Sequence, residues 1–238
     1  MTRPIQRDSL YRRRRYSRDV IETCVRWYVS YRLSYRDLSA LMAERGVRVS
    51  HSSILRWVLR YVPEYEARWN RRARRVGPSC RVDETYIKVR ARPCFLYRAF
   101  DKKGKTVDSL PQPSRSFGAT QAFFPKALGG NQGRWPKKIT LDGHAPSHLG
   151  LRLLRREDFR WKNVLVRNSP YLNNIVEQDH RAIKGRCQPM LGFKSFRTAA
   201  VTFAGLELAL RIRKRLFAFG PRRWSAWSLK KQWDKALA

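Results

Sequence analysis

CRVDETYIKVRARPCFLYRAFDKKGKTVDSL, residues 80–110, is the stretch on which the fold turns. Cys80 to Val89 is short and rich in β-branched side chains, and Cys94 to Phe100 is aromatic and apolar. Both runs suit strands, whose pleated and half-buried surface favours such side chains. Asp101-Lys102-Lys103-Gly104 reads as a hairpin turn into a third strand from Thr106 to Leu110. Pro111 and Pro113 lack the N–H that a ladder needs and are expected to end that strand. At the edge of a sheet a proline is tolerated.

Downstream the pattern alternates. A helix is expected from Ala119 to Leu128, then a loop rich in Gly and Asn, a fourth strand from Lys138 to Leu141, a helix from His148 to Arg156 and a fifth strand from Val164 to Arg167. A long helical stretch begins near Asn174. Three antiparallel strands followed by alternating helix and strand is the order of a ribonuclease-H-like α/β fold, a mixed five-stranded sheet with flanking helices.

Upstream the period becomes helical. Ile21, Cys24, Val25 and Tyr28 form one apolar stripe at i, i+3, i+4 and i+7. Ser34 precedes a short helix with Asp37 as its capping-box partner, and Gly46 is placed to end it. Ser50 caps a third helix with an inner face of Ile54, Trp57, Val58 and Tyr61, and Pro63 is expected to stop it. Residues 17–63 thus read as an all-α helix-turn-helix domain whose third helix enters the major groove. Its outward side carries His51, Ser52, Arg56 and Arg60. A plain three-helix bundle for protein contacts is the alternative. Residues 1–16 form a basic arm around Arg12–Arg15, with order starting near Ser17. Residues 64–78 read as an Arg-rich linker, with a helical extension possible at its start, and 79–215 as the ribonuclease-H-like domain. Residues 216–238 are a basic tail with Trp224, Trp227 and Trp233, open to a dimer contact or to DNA stacking.

Charge selects the partner. Fifty-two Lys and Arg against eighteen Asp and Glu give a formal net charge of +34. Self-repulsion of that size favours a polyanionic partner, and nucleic acid supplies one through phosphate contacts that release counterions. There is no apolar run near the roughly 18 residues that a bilayer span requires, and no signal-peptide pattern. Cys24, Cys80, Cys94 and Cys187 are scattered, which argues against a zinc site or a disulfide framework. His144 and His148 lack a third ligand. The expectation is a cytoplasmic, nucleoid-associated protein that binds double-stranded DNA and no membrane.

Acidic residues are scarce, so those set among apolar strand residues stand out. Asp83 follows Val82 in the first strand, Asp142 ends Ile139-Thr140-Leu141, and Glu177 lies on the helix after the fifth strand. Buried carboxylates repel one another and lose hydration, and divalent metal is their natural compensation. Two Mg²⁺ (or Mn²⁺) ions about 3.5–4 Å apart activate an attacking hydroxyl and stabilise the leaving oxygen of a phosphodiester. Taken singly, each acid also fits a bland role as turn residue, surface charge or ion-pair partner. Lys184 lies two helical turns beyond Glu177, with His180 and Arg181 at i+3 and i+4 on the same face. Such a cationic ridge holds phosphates in line; a solvated basic face is the competing reading.

The segments VDETYIKV (82–89), LYRAFDKKGKTVD (96–108), ITLDGHAPSH (139–148), YLNNIVEQDHRAIKGR (171–186) and PMLGFKSFRTA (189–199) resemble the bacterial DDE transposases of the insertion-sequence-six family. Thirty-four residues separate Asp142 from Glu177, as in that family. The resemblance covers roughly residues 15 to 215. It implies that Asp83, Asp142 and Glu177 are metal ligands, that Lys184 is a basic residue of the site, and that terminal inverted repeats and target DNA are the substrates. It also implies a homodimer or higher homo-oligomer on DNA. Residues 111–118, PQPSRSFG, depart from the family pattern. They leave open a non-catalytic helix-turn-helix DNA-binding protein, an inactive or domesticated derivative. A ribonuclease-H-type nuclease shares the triad but has less need of a helix-turn-helix.

Overall fold

The computed structural model describes residues 8–12, 14–74, 77–90, 92–102, 104–129, 135–141, 145–169, 181, 183–187, 193–219 and 226–237. Five strands form one sheet: β1 (Ser79–Val89), β2 (Arg92–Asp101), β3 (Thr106–Gln112), β4 (Lys138–Leu141) and β5 (Leu165–Asn168). Their order is β3-β2-β1-β4-β5. β1, β2 and β3 are antiparallel neighbours, while β4 runs parallel to β1 and β5 parallel to β4. That mixed order, with helices on both faces, is the ribonuclease-H-like arrangement. The β2–β3 turn closes with Gly104 at φ +72°, its N–H donating to the Asp101 carbonyl at 3.0 Å.

Pro111 does not end β3. It pairs with Leu96 in register, and the strand continues to Gln112. The physical reason is position: β3 is an edge strand, so the missing N–H leaves no ladder bond unmade on the open side. The departure at 111–118 is therefore compatible with the sheet.

Alternation along the strands gives each face its own core. On one face Val82, Tyr97 and Ala99 pack under α4 (Phe117–Phe124) and α5 (Ala145–Glu157), with Phe123, Leu151 and Trp161. On the other, Ile87 and Leu96 meet Ile183 and then Phe203 and Leu206 of α6 (Phe196–Arg213). Residues 183–187 are helical, whereas 170–180, where a long helix was expected to begin, lie outside the described residues.

The N-terminal helices are α1 (Arg18–Ser30), α2 (Tyr35–Ala43) and α3 (His51–Asn70). Ser34 accepts from the Asp37 N–H at 3.1 Å while Asp37 accepts from the Ser34 N–H at 2.7 Å, a complete capping box. Gly46 takes φ +73° after α2, and Ser50 caps α3. Pro63, however, does not stop α3, which runs seven residues further. An interior proline costs about 3 kcal/mol. Burial of Tyr65 and Trp69 against Phe217 and Trp233 offsets that cost. Trp233 belongs to α7 (Leu229–Leu237), which packs on α3 rather than extending as a tail.

Order also begins before Ser17. Tyr11 stacks on Tyr61 at 5.2 Å and its hydroxyl donates to Glu22 at 2.9 Å. Arg68 pairs with Asp8 at 2.6 Å, and the Tyr16 hydroxyl donates to the Arg48 carbonyl at 2.8 Å. The arm is held because its arginines are interleaved with tyrosines that bury on α3.

Candidate active site

Asp83 sits mid-way along the central strand β1, 8% exposed. It stands opposite Arg98 of β2 in the antiparallel register, so both side chains share a face. That face is the one covered by α6: Arg98, fully buried, pairs its Nε with Glu207 Oε1 at 2.5 Å and its Nη2 with Oε2 at 3.2 Å. The Glu84 N–H donates to Asp83 Oδ1 at 2.8 Å and so fixes the carboxylate against its own strand.

Glu84 points to the opposite face by strand alternation. Its side chain, 4% exposed, meets Arg115 Nε at 2.5 Å and accepts from Ser147 Oγ at 2.8 Å. Adjacent acids in one dipeptide therefore serve two environments.

Asp142, Glu177 and His180 lie outside the described residues. Among the described residues no group of three or more His, Cys, Asp or Glu is placed to hold a metal ion. Asp83 supplies the hard oxygen donors that Mg²⁺ prefers, on a strand whose β4 neighbour ends one residue before Asp142.

Lys184 is exposed, with its Nζ 4.8 Å from the centroid of the Tyr86 ring, and Tyr86 itself is 57% exposed on β1. By strand alternation Tyr86 shares the Glu84 face of β1 rather than the Asp83 face, so this contact does not itself bring Lys184 to Asp83. Arg181 is also exposed. Arg186, next along, is buried and donates through Nη1 to the Val29 carbonyl at 3.1 Å and through Nη2 to the Ser30 carbonyl. Burial pushes its guanidinium down to about 10, with Arg213 and Arg32 nearby adding repulsion. Arg213 also donates to the Ser30 carbonyl, at 2.5 Å. Two guanidinium groups therefore satisfy the C-terminal carbonyls of α1, where positive charge suits the helix dipole.

On α3, Ser52, Arg56 and Arg60 are all exposed. Arg56 and Arg60 line a cleft of about 1090 Å³ together with Arg14, Arg15 and Arg48. Tyr16 holds the arm across this cleft, packing edge-on against Trp57 at 5.1 Å. No helix among the described residues is long and apolar enough to cross a membrane.

Sequence reasoning missed the Arg98–Glu207 pair, the partners of Glu84 and the anchoring role of Arg186. One signal was present: Glu207 interrupts the apolar run Leu206-Glu207-Leu208-Ala209-Leu210, and Arg98 interrupts an apolar strand. Charges so placed need each other.

A family model described as a DDE domain, of the IS240 transposase type, matches residues 77–215. The chain is 35% identical over 217 residues to the transposase for insertion sequence-like element IS431mec of Staphylococcus aureus, spanning 89% of this chain and 94% of that one. It is 34% identical, with the same coverage, to the transposase for insertion sequence element IS257 in transposon Tn4003 of Staphylococcus aureus. A solved HTLV-2 integrase catalytic core domain in complex with magnesium superposes with a TM-score of 0.40 at 15% identity, covering 57% of this chain and 86% of that one.

Proposed function

This chain belongs to the DDE transposases of the insertion-sequence-six family, and we propose that it nicks DNA at the terminal inverted repeats of its element and joins the 3′-ends to target DNA. The observation that carries the reading is the buried Asp83 on the central strand, inside the matched DDE domain. In this reading Asp83, Asp142 and Glu177 hold two Mg²⁺ (or Mn²⁺) ions. When bound, such ions supply Lewis acidity at the scissile phosphate and a deprotonated attacking oxygen.

The chain's own groups do the rest. Ser52, Arg56 and Arg60 bind the element end from α3, Arg56 reading a base edge, while Arg14 and Arg15 grip the backbone across the cleft. His180, Arg181 and Lys184 orient phosphates beside the acids. The net charge of +34 gives affinity that falls steeply with salt. A homodimer or higher homo-oligomer on double-stranded DNA brings two ends together, within the cytoplasm at the nucleoid.

The test is purified protein with a labelled element end and Mg²⁺, scored for nicking and joining. Asp83→Asn is expected to abolish nicking while end binding stays near the wild-type level, because affinity comes from the basic surface. An Asp83→Asn protein that nicks at the wild-type rate would remove Asp83 from the site. Binding without any cleavage by the unaltered chain would favour a DNA-binding role alone.

A further inference from the structure

Glu84 takes no part in the reading above, yet its carboxylate is firmly anchored. It is 4% exposed and is held from two other elements: Arg115, in the segment between β3 and α4, and Ser147, in the first turn of α5. A carboxylate is kept buried only where charge and hydrogen bonds compensate it. Here both do. The Arg115 guanidinium meets Oε2 and the Ser147 hydroxyl meets Oε1, so each oxygen has its own partner.

The position of this anchor matters. Among the described residues the β1–β4 ladder pairs Ser79–Arg81 with Lys138–Thr140. Glu84 lies beyond these pairs on β1, and Ser147 lies just beyond the connection that joins β4 to α5. The Glu84–Ser147 bond therefore ties β1 to the first turn of α5 through side chains, beyond the described β1–β4 pairs. Asp142 falls in that connection by sequence, and Asp83 is held by the Glu84 main-chain N–H.

We propose that Glu84 is a positioning residue: its contacts with Arg115 and Ser147 set the separation between β1, which carries Asp83, and the first turn of α5, and with it the fit of the metal site. The proposal rests on the assignment of Asp83 and Asp142 as metal ligands. It separates Glu84 from them in kind, since its side chain leaves β1 on the other face. A misplacement of about 1 Å in such a site costs on the order of a hundredfold in rate.

The experiment compares Glu84→Ala, Glu84→Gln, Ser147→Ala and Arg115→Ala with the unaltered chain, each bound to the labelled element end. Two quantities are read: single-turnover nicking across a Mg²⁺ series, and Mn²⁺ binding by calorimetry. Glu84→Ala should slow nicking and weaken Mn²⁺ binding by about tenfold to a hundredfold, with end affinity unchanged. Glu84→Gln keeps the size and one acceptor oxygen and lets Ser147 accept from the amide, so it should stay within about threefold of wild type. Ser147→Ala and Arg115→Ala should each give part of the loss, and adding Glu84→Ala to both should cost no more than Glu84→Ala alone.

Glu84→Gln as inactive as Asp83→Asn would make Glu84 a ligand or catalytic group and overturn the positioning role. Wild-type rates and Mn²⁺ affinity in Glu84→Ala would overturn it as well. Should Glu84→Ala fail to fold, wild-type behaviour of both Ser147→Ala and Arg115→Ala is the overturning result. An unaltered chain that binds Mn²⁺ without nicking defeats the strand-transfer reading alone, and the affinity comparison still decides Glu84.

Discussion

Lys184 reaches over Tyr86 with its ammonium 4.8 Å from the ring centroid, exposed and clear of the packed core. An aromatic face attracts a cation by about 0.5–1 kcal/mol at an exposed site, enough to favour one side-chain orientation without burying the charge. A lysine so oriented meets a DNA phosphate with little further loss of rotamer freedom. Removing it should slow cleavage by roughly tenfold to a thousandfold, the range of a single electrostatic stabiliser. Loss of one charge from a chain of net +34 should hardly move affinity. The control is Lys230→Ala, which deletes an exposed lysine paired with Asp234 one helical turn away. Under single turnover with saturating ends, equal rates for the two variants would return Lys184 to the solvated face. Arg56 belongs to the same scale. It is exposed on α3 and contacts Ser53 Oγ at 3.4 Å, so its guanidinium remains available to a base edge. Arg56→Ala should cost about 1–3 kcal/mol of discrimination between element ends and random DNA. Equal losses on both DNAs would make it a phosphate contact.

α3 shows what an element inherits from its surroundings. Its first half follows local rules, with Ser50 as cap and Ile54, Val58 and Tyr61 at helical spacing. Its second half passes Pro63 because Trp69 meets Phe217 at 4.7 Å and Trp233 at 5.4 Å. Those partners come from the far end of the chain, so no reading of local residues could supply them. The sheet was more legible. β-Branched and aromatic runs, a Gly-closed turn and alternating periods are local signals, and strand β4 falls on Lys138–Leu141 as expected. The burial of Asp83 on β1 had a local signal of the same kind, an acid out of place among apolar strand residues. The Arg98–Glu207 pair was not, because its members stand 109 residues apart and only the packing of α6 on β2 joins them. Trp233 tests the account of α3. It is 3% exposed, and Trp233→Ala should cost about 3–5 kcal/mol in urea unfolding. DNA affinity should stay close to wild type; a fall in affinity with unchanged stability would instead make Trp233 a DNA contact.

At the scale of the whole molecule, the N-terminal helices and the five-stranded sheet are joined through α6. Leu208, Ala209 and Ile212 of α6 share a core with Ile21, Val25, Val58 and Val62, while Phe203 and Leu206 of the same helix cover the sheet. Arg211 of α6 reaches Asn70 of α3 at 2.9 Å, and burial lowers its affinity for its proton. The helices approach closely at Gly205, where an added Cβ would lie 2.6 Å from Val29 Cγ1 and 3.3 Å from both methyls of Val62. Glycine is therefore required there by contact, since it lets α6 lie against α1 and α3 together. Gly205→Ala should push the helices apart, an overpacking cost of typically 1–3 kcal/mol. The outer face of α3 is untouched by this change, so end binding should persist. Cleavage should fall further than binding, because the end would be held at a wrong distance from Asp83. Val29→Ala alone removes two buried methyls and is itself destabilising. Together the two changes should be less harmful than their sum, since the lost methyl Cγ1 is the atom that the new Cβ strikes. A double-mutant cycle in urea, with nicking rates alongside, measures that coupling. Simple additivity in stability would mean that α6 relaxes away from the contact at no cost, and that the two halves of the molecule are not held together through Gly205.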